Sequence, residues 1–135
     1  MTALAADRLT PERRNKQFSY AVEAASKIFA GSIVCLNAAG NAVKGATSTT
    51  LKAVGVAIEQ ADNSAGAAAA INVPVERGLF RFANSAAGDA IGLANVGASC
   101  YIVDDQTVAL TSGSSTRSIA GTVRDVDAQG VWVDF

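Results

Sequence analysis

Cys100-Tyr-Ile-Val-Asp-Asp-Gln-Thr-Val-Ala-Leu110 and Asp127-Ala-Gln-Gly-Val-Trp-Val-Asp-Phe135 decide the fold. Each run is rich in β-favouring residues and is broken by a turn signal, Asp104-Asp105 in the first and Ala128-Gln-Gly130 in the second. The first run predicts a hairpin of residues 100–103 and 107–110. The second predicts a hairpin with residues 119–126. The last strand runs to Phe135, as expected of a small barrel whose sheet is then complete.

Working toward the N-terminus, the β signal persists as far as Gly31. Residues 32–36 form a short apolar strand. Asn37-Ala-Ala-Gly-Asn41 is a turn with glycine where a left-handed residue is needed, and 42–44 begins the return strand. Residues 53–58 are the next strand, and Asp62–Gly66 reads as a loop. Ala67–Ala70 has helix propensity but is too short to stand alone. Residues 71–76 alternate apolar and polar, and Pro74 predicts an edge position or a bulge. In 79–82, Leu79 and Arg81 face one way and Phe80 and Phe82 the other. Residues 89–95 fit one short helical turn stopped by Gly97. Residues 18–30 fit two patterns. Phe18, Val22, Ala25 and Phe29 make a helical stripe, whereas Phe18, Tyr20, Val22 and Ala24 alternate as a strand does.

Residues 1–17 form an extended arm, and 18–135 one β-rich domain with at most one or two short helical turns. In the arm, Arg8, Arg13, Arg14 and Lys16 oppose only Asp7 and Glu12. Few large apolar residues precede Phe18, so the arm has little to bury. The fold class is therefore mainly β: a small barrel or sandwich with an N-terminal arm.

Composition narrows the function. The 135 residues suit a single core, and 28 of them are alanine, so the core is built from small side chains. Charged residues make up 17%, below the usual share of about 25%, as on a surface partly covered by a partner. The net charge of −1 gives no field to attract nucleic acid or an anionic membrane. No apolar run is long enough to span a bilayer, and the first residues lack a secretory layout, so synthesis in the cytoplasm is expected. Cys35 and Cys100 read as buried free thiols.

The chain has no histidine. That removes triads with a histidine base and the usual imidazole zinc sites. Gly40-Asn-Ala-Val-Lys-Gly45 spaces two glycines like a phosphate loop, but the Lys-Ser/Thr pair that must follow is missing. The acidic pairs Asp104-Asp105 and Asp125/Asp127 sit at turns, where Asp bonds the local backbone. No catalytic residue, cofactor site or metal site is expected. Contact residues are better candidates: Arg8, Pro11, Arg13, Arg14 and Lys16 in the arm, Arg77 and Arg81 beside an aromatic strand, and Trp132. Arginine and aromatics are enriched at interfaces. If Val131, Val133 and Phe135 point inward, Trp132 points outward; the opposite assignment fits the alternation nearly as well.

Several stretches together resemble the capsid cement, or head decoration, proteins of tailed bacteriophages, particularly the Mu-like phage and prophage group. They are Ile28-Phe-Ala-Gly-Ser-Ile-Val34, Val54-Gly-Val-Ala57, Asp62-Asn-Ser64, Arg77-Gly-Leu-Phe-Arg-Phe-Ala-Asn84, Cys100-Tyr-Ile-Val-Asp-Asp-Gln-Thr-Val108 and Gly121-Thr-Val-Arg-Asp-Val-Asp-Ala-Gln-Gly-Val-Trp-Val133. The resemblance runs from about residue 5 to the end and favours strand for 18–30. It implies a compact β fold with an arm, bound to the major capsid protein on the outer surface of the virion, and no enzymatic activity. It also implies a homo-oligomer, a trimer on local three-fold axes before a dimer. Neither nucleic acid nor membrane is an expected partner. The alternative is another virion or tail β-module, a baseplate or glycan-binding piece, against which the scarcity of aromatics speaks. An enzyme has only the acidic pairs in its favour.

Overall fold

The computed structural model describes residues 2–13 and 16–135; Arg14 of the arm lies outside the described residues. Strands dominate: β1 (Gln17–Ala21), β2 (Ser26–Ile28), β3 (Ile33–Leu36), β4 (Ala42–Lys44), β5 (Lys52–Ala57), β6 (Ala61–Asn63), β7 (Asn72–Glu76), β8 (Leu79–Asn84), β9 (Ser99–Ile102), β10 (Thr107–Ala109), β11 (Ile119–Asp127) and β12 (Gly130–Asp134). They make a five-stranded sheet in the order β1-β7-β5-β3-β4, a closed barrel β10-β8-β12-β11-β9, and a two-stranded ribbon β2-β6. The two hairpins expected from the quoted stretches form neighbouring staves of the barrel. β9 pairs β10 through Ile102–Val108, and β11 pairs β12 from Thr122–Asp134 to Asp127–Gly130. The barrel closes where β10 meets β8 in parallel.

Alternation along β3 explains how the layers stack. Ile33 and Cys35 join the barrel residues Cys100, Ile102, Val108, Val123, Val131 and Val133 in one buried cluster. Val34, on the opposite face, joins Val22, Ile28, Val73 and Val75 in a second. The first sheet is thus buried on both faces at its centre, by the barrel on one side and by β2 and its neighbours on the other. Backbone bonds stitch the sheet to the barrel: Ile33 N–H donates to the Asp105 carbonyl at 2.9 Å, and Thr47 Oγ1 to the Val103 carbonyl at 2.8 Å. The buried Ser118 hydroxyl accepts from Leu51 N–H at 3.1 Å and donates to the Ser48 carbonyl.

Glycine is required at the tip of the last hairpin. Gly130 has φ +153°, and a Cβ there would collide with the Phe82 carbonyl on β8. The β11–β12 turn lies against β8 closely enough to exclude any side chain.

Residues 18–30 are strands, β1 and β2, not a helix. Ala25 has φ +53°, which breaks a right-handed helix, and Phe29 is half exposed instead of completing an apolar stripe. Pro74 is not at an edge, for β7 lies between β1 and β5. Its carbonyl accepts from Ile58 N–H, just beyond the last β5–β7 pair, Ala57–Val75. The missing proline donor therefore falls where the β5 ladder has already ended, and no bulge is needed. Asp62 and Asn63 are not loop but part of β6. Buried Asn63 donates to the carbonyls of Glu23 and Ala67, each at 2.9 Å, and so ties the ribbon down. Ala67–Ala70 forms turns, with Ala69 at φ +66°. The single helical turn expected at 89–95 is two 3-10 turns, Ala87–Asp89 and Leu93–Asn95. Between them Ile91 plugs the barrel, held on both its N–H and its carbonyl by the Asn84 amide.

Candidate functional site

Two surfaces carry the residues that the sequence singled out. The first is the outer face of β8 and β12. Val131 and Val133 are buried, so Trp132 points outward, one of the two faces that the sequence left open, and is half buried. Its cross-strand partner is Arg81, whose guanidinium carbon lies 5.8 Å from the indole centroid. Arg81 also donates to the Gln129 side-chain oxygen. The indole N–H donates to Asp127 Oδ2 at 2.9 Å. Asp127 Oδ1 accepts the backbone N–H groups of Gln129, at 2.8 Å, and Gly130, at 3.1 Å. These bonds, the indole's first and then that of Gln129 N–H, hold the Asp127 carboxyl below the usual carboxylate range. Next to this clasp, Arg124 pairs with Asp134 at 3.3 Å, and Leu79 stands half exposed opposite Asp134.

The second surface is the root of the arm. Arg77 N–H donates to the Lys16 carbonyl at 2.9 Å, which fixes where the arm leaves the domain. Lys16, Phe18, Arg77, Gly78, Asp134 and Phe135 line an open hollow of about 300 Å³ there. Arg13 stacks 5.2 Å over the Phe18 ring, which in turn stacks on Tyr20 at 6.3 Å. Residues 2–12 take no regular secondary structure. Residues 2–13 are all exposed, Arg8 and Pro11 among them, and Leu9 is 97% exposed.

The fold therefore joins Arg81 to Trp132 and Lys16 to Arg77, sets Arg13 over Phe18, and leaves Arg8 and Pro11 out on the arm. The sequence reading took Asp127 as turn chemistry alone and overlooked Gln129. The signal was present: the alternation that sends Trp132 outward also sends Asp125 and Asp127 to the same face. A third surface, the groove lined by Lys52, Arg117 and Ile119, had no local signal, because its walls come from three separate segments.

Reactive chemistry is poorly provided for. Burial raises the Cys35 thiol to about 12 and the Cys100 thiol to about 11, so neither is a ready nucleophile. Among the described residues no group of three or more Asp, Glu or Cys side chains converges to hold a metal ion. Asp104 Oδ1 accepts Gln106 N–H at 2.9 Å, a local turn bond. No protein-family model matches the chain, and neither does any curated protein or solved structure.

Proposed function

We propose that this chain is a structural cement protein, which binds the outside of an assembled phage capsid and bridges neighbouring major capsid protein subunits. The observation that carries this reading is the arm: twelve consecutive residues, 2–13, lie exposed, with Leu4 and Leu9 unburied, on a domain built around a closed barrel. A segment of that kind gains by ordering against a partner. The Arg81–Trp132 clasp supplies a preorganised second contact, since its side chains are already held by Asp127 and Gln129. Two contacts on different subunits add avidity, and binding the assembled state alone stabilises that state. The resemblance to decoration proteins points the same way. A glycan-binding module is less well supported, because the candidate platforms Trp132 and half-exposed Phe29 already carry Arg81 and Lys27 over their rings.

The test is to mix the purified protein with bare, expanded shells of the phage concerned. Saturable binding and greater heat resistance of the shells are expected. No binding and no gain in heat resistance overturn the reading.

A further inference from the structure

A further concavity lies at the seam between the first sheet and the barrel, and it shares no lining residue with the clasp or the arm root. It is an open groove of about 620 Å³, within the range of ligand-sized sites. Its apolar lining includes Leu51, Tyr101 and Ile119, and Ile119 is 53% exposed. Two cations, Lys52 and Arg117, also line it, and no carboxylate does. Arg117 is already paired with Asp89 at 3.2 Å and donates to the Thr111 carbonyl, and its Nε–H is buried, so the exposed Lys52 is the cation that the groove offers to a partner. The groove is therefore shaped for an apolar side chain next to an acidic one.

One exposed stretch of this same chain has that pattern. In extended chain, side chains two apart share a side. Asp7 and Leu9 thus face one way, and Arg8 faces the other. Leu9 makes almost no contact with its own domain. Eight residues separate Leu9 from Gln17 at the head of β1, a reach of roughly 26 Å. That is about twice the radius of gyration, roughly 13 Å, of a domain this size. The arm is long enough to cross to a neighbour.

We infer that the groove at Leu51, Lys52, Arg117 and Ile119 receives the Asp7–Leu9 segment of the arm of a second copy. Leu9 packs on Leu51 and Ile119, and the Asp7 carboxylate meets Lys52. Each copy has one arm and one groove, so the contact is head to tail and closes into a ring when the rotation allows. The inference goes beyond the cement reading and does not need a shell. It links decorating copies to one another through Asp7–Leu9 and leaves the rest of the arm, Leu4 included, and the Arg81–Trp132 face for the shell.

Cross-linking in solution tests it on the full-length chain. Thr10→Cys on the arm and Thr49→Cys on the exposed groove rim leave Leu9, Asp7 and the groove lining named above intact. The native thiols are buried and do not interfere. Mixing the two single variants under mild oxidation should give a mixed dimer at least ten-fold faster than mixing Thr10→Cys with Ala39→Cys, an exposed turn control. Leu9→Asp, added to the Thr10→Cys chain, should abolish that advantage. Lys52→Glu should reduce it, and Asp7→Lys paired with Lys52→Glu should restore part of it. Equal rates for Thr49→Cys and Ala39→Cys overturn the inference. So does a double variant, Thr10→Cys with Thr49→Cys, that closes only within one chain, because the arm then occupies its own groove. Loss of cross-linking with retained shell binding counts against this inference alone and leaves the cement reading standing.

Discussion

The β11–β12 hairpin and the N-terminal arm display similar chemistry, large apolar side chains beside arginines, in opposite physical states. In the hairpin the polar groups are already engaged: Trp132 on Asp127, Arg81 on Gln129 and Trp132, Arg124 on Asp134. In the arm, Leu4 and Leu9 stand in solvent, and Arg13 lies over Phe18. A partner that meets the hairpin finds side chains already fixed. One that meets the arm must offset the cost of ordering it, about 1–2 kcal/mol per residue for the backbone. The hairpin is suited to specificity with little rearrangement, and the arm to reach.

The contrast holds only while the barrel holds, so its largest disruption comes from the core. Ile102 is fully buried between the barrel and the first sheet. Ile102→Ala should destabilise the domain by about 3 kcal/mol, read from urea unfolding followed by Trp132 fluorescence. A loss below about 1 kcal/mol would mean that the site collapses around the gap and the barrel is less rigid than described.

A smaller effect sharpens the hairpin side. Asp127→Asn keeps the side-chain shape and removes the charge that the indole N–H stabilises. Because the folded carboxyl is held below its ordinary value, its contribution is complete above about pH 4. It is lost as the pH falls through the folded value. The native protein should therefore exceed Asp127→Asn in stability at neutral pH and converge with it in acid. A gap between their urea midpoints that stays constant down to about pH 3 contradicts this account of the clasp.

The smallest effect concerns the arm. Removing residues 1–13 spares Lys16, whose carbonyl holds Arg77 N–H. Folding stability should change by no more than about 0.5 kcal/mol, while attachment to shells weakens. If the shortened chain unfolds markedly more easily, the arm belongs to the domain and the contrast fails.

Much of the barrel was legible in the sequence because its signals are local. Asp104-Asp105 and Ala128-Gln-Gly130 mark turns between β-branched runs, and alternation separates Trp132 from Val131 and Val133. Pro74 misled because proline reports a missing donor, and only the neighbouring strand's length says whether a donor was needed there. Residues 18–30 were ambiguous because Phe18, Val22 and Phe29 satisfy a helical spacing that the left-handed Ala25 forbids. Of the candidate contacts, alternation set Trp132 opposite Val131 and Val133 without deciding which face is outward, and its pairing with Arg81 had no local signal. Their juxtaposition depends on β12 pairing with β8 in one register, across 51 residues of chain.

The sequence by itself determined a histidine-free, alanine-rich β chain with a basic arm, since composition, turn chemistry and two-residue alternation act over a few neighbouring residues. Only the tertiary structure decided that a second sheet packs against the barrel, that β7 is interior, and that Lys52, Arg117 and Ile119 wall one groove. Those outcomes depend on which distant strands pair. Pairing is fixed by the joint burial of Ile33, Cys35 and Val56 with the barrel core, which no local window of the chain contains.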